Sequence, residues 1–174
     1  MPDGTFLPAR AVVATVDVAV QRMEVAIGET PIATYLVSTA RAGLGAEEGS
    51  HKTPPGWHRV VARYGAHAPP GQVFVSRRAV AGRMVPPSHW RADGGADLIL
   101  SRIFRLDGLE AGVNRGGRVD SFARYIYLHG TNQEHLLGRP ASHGCIRLAN
   151  KDIIDLFARV RGRPFYVNIV PSRD

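Results

Sequence analysis

Short segments that alternate apolar and polar residues, separated by glycine and proline, are the feature that most constrains the fold of this chain. Between Ala11 and Val20 the even positions are apolar, whereas Thr15 and Asp17 fall on the opposite face. A period of two residues is typical of a half-buried strand. Because 19 glycines and 12 prolines interrupt the chain, turns are frequent and strands are short. We therefore predict a mostly β fold, a sandwich or small barrel.

The same alternation predicts strands along most of the sequence. Met23–Ile27 and Ile32–Ser38 are predicted to form a hairpin around a turn at residues 28–31. The other predicted strands are Trp57–Tyr64, Val73–Ser76, Leu98–Leu106, Tyr125–Leu128 and Phe165–Val170. No pattern indicates the role of the segment from 66 to 96.

One segment, directly after the only cysteine, has the pattern of a helix. Asn150 is a good N-cap residue and Asp152 would lie in the first turn, where the helix dipole favours a negative charge. An apolar stripe follows at helical spacing, made of Ile153, Ile154, Phe157 and Val160. Gly162 and Pro164 would end the helix. We expect one or two short helices in total.

Composition limits the class of protein. The length of 174 residues is typical of a single domain, so we predict one domain over residues 1–174. Its 44% hydrophobic and 21% charged residues are ordinary for a globular chain. No apolar run approaches the roughly 18–20 residues that a transmembrane helix needs.

The net charge of +7 favours anionic partners, but the scarcity of aromatic residues and of basic runs argues against nucleic acid. The first residues show no secretory signal pattern.

The chemistry is concentrated between Tyr125 and Leu148. This stretch holds the only cysteine, Cys145, together with three histidines and Arg147. A thiol becomes a strong nucleophile as a thiolate, which requires an imidazole or a positive field nearby. A lone cysteine is also commonly a small buried apolar residue, and cysteine with histidine also binds metals. From the residues alone these three interpretations stay open.

The order of these residues resembles the catalytic signature of the YkuD-type L,D-transpeptidases. In that family a histidine is followed, after a loop, by Ser/Thr-His-Gly-Cys, and here His129 precedes Ser142-His143-Gly144-Cys145. The turn at residues 52–56, Lys-Thr-Pro-Pro-Gly, resembles a second family motif, and residues 114–127 resemble the lead-in to the first histidine. The resemblance implies an L,D-transpeptidase-like β-sandwich or barrel with a helix after the cysteine loop.

The resemblance also implies roles for individual residues. Cys145 would be the nucleophile and His129 the general base, with the backbone carbonyl of Gly130 orienting its ring. His143 would line the site, and the amides of Gly144 and Cys145 would form an oxyanion hole.

Two further residues complete the expected site. Arg147 would hold a substrate carboxylate; its alternative role is a structural ion pair with Asp152 or Asp155. Ser142 would line the site or hold its loop through a local hydrogen bond.

The implied substrates are peptidoglycan stem peptides, with no cofactor and no metal. The implied acceptor is an amine of a second stem peptide or of an anchored wall protein, and transfer to water instead would make the protein an L,D-carboxypeptidase. The implied location is the periplasm or cell envelope. Two alternatives of other classes are a zinc-binding domain using His129, His135, His143 and Cys145, and a wall-binding domain without catalysis.

Overall fold

The computed structural model describes residues 7–91 and 95–172. Ten strands and one α-helix are described there. In chain order they are β1 (Val12–Asp17), β2 (Arg22–Ile27), β3 (Thr30–Ser38), β4 (Gly56–Tyr64), β5 (Gln72–Val75), β6 (Arg78–Met84), β7 (Ile99–Gly108), β8 (Tyr127–Thr131), β9 (Ile146–Leu148), α1 (Asn150–Arg159) and β10 (Phe165–Val170). Short 3-10 turns lie at Pro87–His89, Gly117–Val119 and Glu134–Leu136.

The strands form a closed barrel with one appended hairpin. Neighbouring strands follow the order β4-β10-β1-β2-β3-β9-β8-β7, and β7 then pairs with β4 and closes the ring. The hairpin of β5 and β6 is attached to β7 through β5. Two pairs are parallel, β1 with β10 and β8 with β9. The predicted mostly β fold is confirmed, in its barrel form and with one helix after the cysteine loop.

The barrel interior follows from the alternation in the sequence. Val12, Ala14 and Val16 point inward from β1 and are fully buried, and burying each of the two valine side chains contributes about 1.5–3 kcal/mol. Helix α1 packs against β7 and β8, with Ile153 and Leu156 fully buried on its inner face. The helix therefore rests directly on the strand that carries His129.

The end of β1 and the hairpin turn between β2 and β3 differ from the sequence prediction for identifiable reasons. β1 ends at Asp17 rather than at Val20, because the Asp17 carboxylate accepts hydrogen bonds from the backbone amides of Ala19 (2.9 Å) and Val20 (3.2 Å). This Asx turn leaves Val20 exposed. The hairpin turn between β2 and β3 is shorter than predicted, since strand pairing extends to Ile27 and Thr30.

The prediction that Asn150 is the helix N-cap is wrong. Ala149 occupies the N-cap position, and Asn150 is the first helical residue. The buried Asn150 amide instead donates to the carbonyl of Thr131 (2.7 Å) and to Glu134 (2.9 Å), and its oxygen accepts the Ser101 hydroxyl (2.6 Å). The residue therefore ties α1 to β7 and β8.

Two strands were not predicted, β6 and β9. Strand β6 is almost entirely exposed and has little apolar alternation to reveal it, while β9 contains three residues. Across residues 7–91 and 95–172, no helix combines the length and apolar character needed to cross a membrane.

Candidate active site

The parallel pairing of β8 with β9 aligns the two predicted catalytic segments. Leu128 is opposite Ile146, and His129 is opposite Arg147. Cys145 immediately precedes β9 and lies two residues before Arg147. Because side chains alternate along an extended chain, the side chains of Cys145 and Arg147 point to the same face of the sheet. The segments that carry the histidine and the cysteine are therefore neighbours in one hydrogen-bonded ladder.

His129 is buried with its ring orientation fixed by the backbone. Its Nδ1 lies 2.8 Å from the carbonyl oxygen of Gly130. Because a carbonyl can only accept, Nδ1 carries the proton and Nε2 keeps its lone pair. Burial lowers the pKa of His129, which keeps the ring neutral, although the Gly130 carbonyl and Asp97 act in the opposite direction. The ring is thus held in the tautomer that can accept a proton at Nε2.

Cys145 is half-buried and packs beside the small cluster of Phe74, Ile103 and Tyr127. Its Sγ lies 3.5 Å from the carbonyl oxygen of Tyr125, to which the thiol donates. Desolvation by the surrounding atoms raises the pKa of the thiol to about 11, with a backbone hydrogen bond from Tyr127 acting against the rise. The resting group is therefore a neutral thiol, and its ionisation requires a base.

The loop before Cys145 is fixed by the Ser142 hydroxyl. This group donates to the carbonyl of Cys145 (2.6 Å) and accepts from the amide of Gly144 (3.2 Å). Gly144 has a φ of 131°, which is strained for any residue with a Cβ. Since the Gly144 amide is already engaged, an oxyanion would compete with Ser142 for it.

Thr53, in the predicted Lys-Thr-Pro-Pro-Gly turn, holds the same loop from the other side. Its fully buried hydroxyl donates to the carbonyl of Gly144 (2.9 Å) and accepts from the amide of Ala40 (2.9 Å). Arg124 secures the turn by donating to the carbonyl of Lys52 (2.8 Å). The second sequence motif is therefore a support of the cysteine loop.

Arg147 is 1% exposed and is paired inside the protein. Its guanidinium donates to the carboxylate of Asp97 and to the side-chain oxygen of Gln133 (3.0 Å). Neither Asp152 nor Asp155, the partners considered for a structural ion pair, occupies this position. Direct contact with a substrate carboxylate would require Asp97 to leave the guanidinium.

His143 is the exposed member of the signature, with 73% of its side chain accessible. Its Nδ1 lies 3.6 Å from the Asp97 carboxylate, and its ring contacts that of His51 edge to face. Both histidines line a shallow cavity of about 260 Å³ beside Ser142.

Asp97 was not predicted from the sequence, although it influences the whole site. Its charge raises the pKa of His129 and that of Cys145, whereas Arg147 lowers both. The two groups therefore share one electrostatic environment. No local pattern around Asp97 indicates this role, since its partner Arg147 is brought to it by barrel closure.

A surface of arginine and aromatic side chains next to Cys145 was also missed. Tyr125, whose carbonyl accepts from the thiol, is 53% exposed, and the Arg77 guanidinium lies 5.2 Å from its ring centroid. Arg77 also donates to the Tyr127 hydroxyl (2.9 Å), and Arg105 stacks on the exposed ring of Phe122. We call this set of five residues the arginine–aromatic surface.

The structure was also searched for metal sites. Among the residues described, no group of three or more His, Cys, Asp or Glu side chains could hold a metal ion. His135 lies half-buried in a different cavity, of about 490 Å³, together with Trp90 and Glu134. It is not brought beside Cys145 by any described contact.

The structure is thus a closed β barrel with a carbonyl-oriented histidine on β8 and a half-buried cysteine directly before the adjacent parallel strand β9. The family model described as the L,D-transpeptidase catalytic domain, YkuD, matches residues 11–167. The chain belongs to this family. No curated protein sequence matches the chain.

Solved structures of low sequence identity share the fold. L,D-transpeptidase 3 from Mycobacterium tuberculosis is 16% identical, with a TM-score of 0.54, over 92% of this chain and 61% of that one. The LD transpeptidase LdtMt1 in complex with imipenem is 15% identical, with a TM-score of 0.52, over 92% and 59%. The helical cell shape determining protein Pgp2 from Campylobacter jejuni is 16% identical, with a TM-score of 0.52, over 94% and 48%. This chain thus spans about half to three fifths of the length of these proteins.

Proposed function

We propose that this protein is a cysteine-dependent L,D-transpeptidase that acts on peptidoglycan stem peptides. The observation that carries the proposal is the hydrogen bond between His129 Nδ1 and the Gly130 carbonyl. It leaves Nε2 available as a base in the same charged environment as the Cys145 thiol. Family membership and the shared fold agree with this chemistry.

In the first step the Cys145 sulfur attacks the carbonyl carbon of an L,D peptide bond, and His129 Nε2 takes the thiol proton. The tetrahedral intermediate then collapses to a thioester. Its C–N bond breaks, and His129 returns the proton to the leaving amine of the terminal D-residue. Because the pKa of the thiol is about 11, this step depends on transfer to His129 rather than on a standing thiolate.

The negative oxygen of the intermediate needs backbone donors. We propose the amide of Cys145 as one donor, and the amide of Gly144 as a second once it leaves the Ser142 hydroxyl, 3.2 Å away. Losing one such donor typically costs about 3–4 kcal/mol of transition-state stabilisation. Ser142 then acts chiefly on the loop, through its hydrogen bond to the Cys145 carbonyl.

The substrate carboxylates have two candidate arginines. Arg147 can bind a carboxylate directly only in exchange for Asp97. Arg77, half-buried on the arginine–aromatic surface, donates to the Tyr127 hydroxyl and needs no such exchange. We propose that the extended stem peptide lies along this surface, with Arg147 taking a carboxylate after Asp97 moves and His143 lining the entrance.

In the second step an amine attacks the thioester, forms a new peptide bond and releases Cys145. The amine belongs to a second stem peptide or to an anchored wall protein, and the protein works in the cell envelope. Incubation with purified disaccharide-tetrapeptide, followed by mass analysis, tests this step. Cross-linked dimers are expected. Loss of the terminal D-residue alone would identify an L,D-carboxypeptidase, and unchanged substrate would contradict the proposal.

The nucleophile is tested with imipenem, which is bound in one of the similar structures. The wild-type protein is expected to gain the mass of the carbapenem, and Cys145→Ala is expected to gain nothing. An adduct of equal yield on both proteins would rule out Cys145 as the acylated residue.

The base is tested by alkylation. His129→Ala should slow iodoacetamide labelling of Cys145 near pH 7 by about tenfold or more, because general-base assistance is typically worth at least that factor. His67→Ala, at an exposed position, is the matched control and should label at the wild-type rate. Equal rates in all three proteins would show that His129 does not accept the thiol proton.

A further inference from the structure

A second concave site lies on the opposite face of β7 from Cys145. Ile103 belongs to the cluster that contacts Cys145, whereas the neighbouring Arg102 places its guanidinium 5.6 Å from the Phe157 ring centroid on α1. Successive residues of a strand point to opposite faces. The cavity there measures about 540 Å³, so it is large enough for a small ligand and is separated from the cysteine by the sheet.

The walls of this cavity are strongly basic. Arg63, Arg102 and Arg161 line it together with His67, while Ile154 and Phe157 form an apolar side. Among the residues that the structure describes around the cavity, none is acidic. Three guanidinium groups on one concave surface repel one another unless an anion lies between them.

The cationic groups carry a desolvation cost that no carboxylate offsets. Arg102 is more than nine-tenths buried, and its Nη1 donates only to the carbonyls of Ala68 and Ser101 (both 2.7 Å). Burial lowers the pKa of Arg102 and that of Arg63, with no acidic neighbour acting in the other direction. A buried charge without a counter-charge is costly.

Two acidic side chains near the cavity residues in sequence already have partners. Asp155 on α1 binds Arg159 (2.7 Å) and the Tyr35 hydroxyl (2.6 Å). Asp107 on β7 binds Arg59 (2.9 Å). Neither side chain lines the cavity, and Asp152 lines a different one, so no described carboxylate supplies a counter-charge inside it.

We propose that this cavity binds a phosphate group, held by Arg63, Arg102 and Arg161, on a ligand whose apolar part packs against Phe157 and Ile154. Guanidinium groups bind phosphate oxygens through paired, charge-assisted hydrogen bonds. A phosphate carries up to two negative charges near neutral pH, which suits a cavity lined by three arginines better than a single carboxylate does. The phosphate belongs either to a soluble phosphate ester or to a lipid headgroup.

Titration calorimetry of the whole chain with pyrophosphate, and co-sedimentation with phosphatidylglycerol vesicles against phosphatidylcholine vesicles, tests the proposal. Arg161→Gln should weaken binding about tenfold, the typical effect of one charge-assisted hydrogen bond. Arg159→Gln is the matched control: it removes the same charge two residues earlier, at the end of α1 and outside the cavity, and it should bind like the wild type.

Each outcome is decisive. Binding of pyrophosphate alone identifies a soluble phosphate ligand, and binding of phosphatidylglycerol vesicles alone identifies a lipid headgroup. Binding of neither, or equal weakening in Arg161→Gln and Arg159→Gln, overturns the proposal. Because Arg161 lies across the sheet from Cys145, Arg161→Gln should still be acylated by imipenem. The phosphate site can therefore be tested whether or not the proposed acyl transfer occurs.

Discussion

Thr53 links the turn at residues 52–56 to the cysteine loop, and its replacement by valine tests that link. Valine has nearly the same shape but neither donates nor accepts. The amide of Ala40 would lose its acceptor and the carbonyl of Gly144 its donor, both buried and both at 2.9 Å in the wild type. Leaving a buried polar group unsatisfied costs about 1–3 kcal/mol, so Thr53→Val should lower the free energy of unfolding by about 2–4 kcal/mol.

Urea denaturation measures this change. With a slope of about 1–3 kcal/mol per molar urea, the midpoint should fall by roughly 1–2 M. The protein should still fold, since domains are commonly stable by about 5–15 kcal/mol. Thr15→Val is the matched control. Thr15 is half-buried on β1, and its hydroxyl makes no hydrogen bond to the described residues, so its midpoint should change little.

The same variant has a functional consequence. Without the Thr53 hydroxyl, the carbonyl of Gly144 is free to rotate and Cys145 loses its fixed position. Acylation by imipenem should then slow by about tenfold or more, because small displacements of a reacting group are costly. A Thr53→Val protein with wild-type stability and acylation rate would refute the supporting role of this turn.

Three other predictions each concern one residue. Asp97→Asn should lower the pKa of the Cys145 thiol and speed its alkylation at pH 7 by about tenfold, because the Asp97 charge raises that pKa; slower alkylation would contradict this reading. Gly130→Ala should lower the free energy of unfolding by about 1–3 kcal/mol in a urea titration, because a Cβ would lie 2.6 Å from Asn150 Oδ1 and 2.7 Å from the carbonyl oxygen of Leu100. An unchanged urea midpoint would show that α1 and β7 can shift to make room for the added methyl group. Burial lowers the pKa of His58 to about 4 from 6.5. The contribution of the neutral His58 ring to the free energy of unfolding is therefore complete above about pH 6.5, and about 3 kcal/mol is lost as the pH falls toward 4. In His58→Gln the free energy of unfolding should fall less steeply over this pH range, and an equally steep fall would exclude His58 as its source.

The sequence predicts the limits of a strand best where a local pattern of apolar and polar residues determines them. Phe165–Val170 was predicted with the limits that β10 has, because its alternate apolar residues are all buried. The start of β8 was placed two residues early, since Tyr125 adopts a positive φ of 55° that ends the extended run before Tyr127. Strand β9 depends on pairing with β3 and β8. This pairing leaves no local pattern in the sequence, so β9 is not predicted. That residues 1–174 form one domain stays a prediction.

The candidate site also contains contacts that the sequence predicts and contacts that it does not. The contact between His129 and the Gly130 carbonyl involves adjacent residues, so a sequence motif can imply it, and the structure contains it. The pairing of Arg147 with Asp97 joins residues far apart in the chain. It depends on the loop before β7 reaching β9 across β8, and only the closed barrel brings these segments together. The roles assigned to Cys145, His129, Gly144, Ser142 and His143 remain proposals.

Closure of the barrel also limits where a second copy of this protein could add a strand. In the barrel each strand pairs with a neighbour on both sides over at least part of its length, whereas among the strands described here β6 in the appended hairpin pairs only with β5. Such a flank can template aggregation when it is apolar. Here it carries Arg78 and Arg83 near its two ends, and two such flanks repel each other. The positive charge of the hairpin therefore disfavours edge-to-edge pairing of two copies at β6.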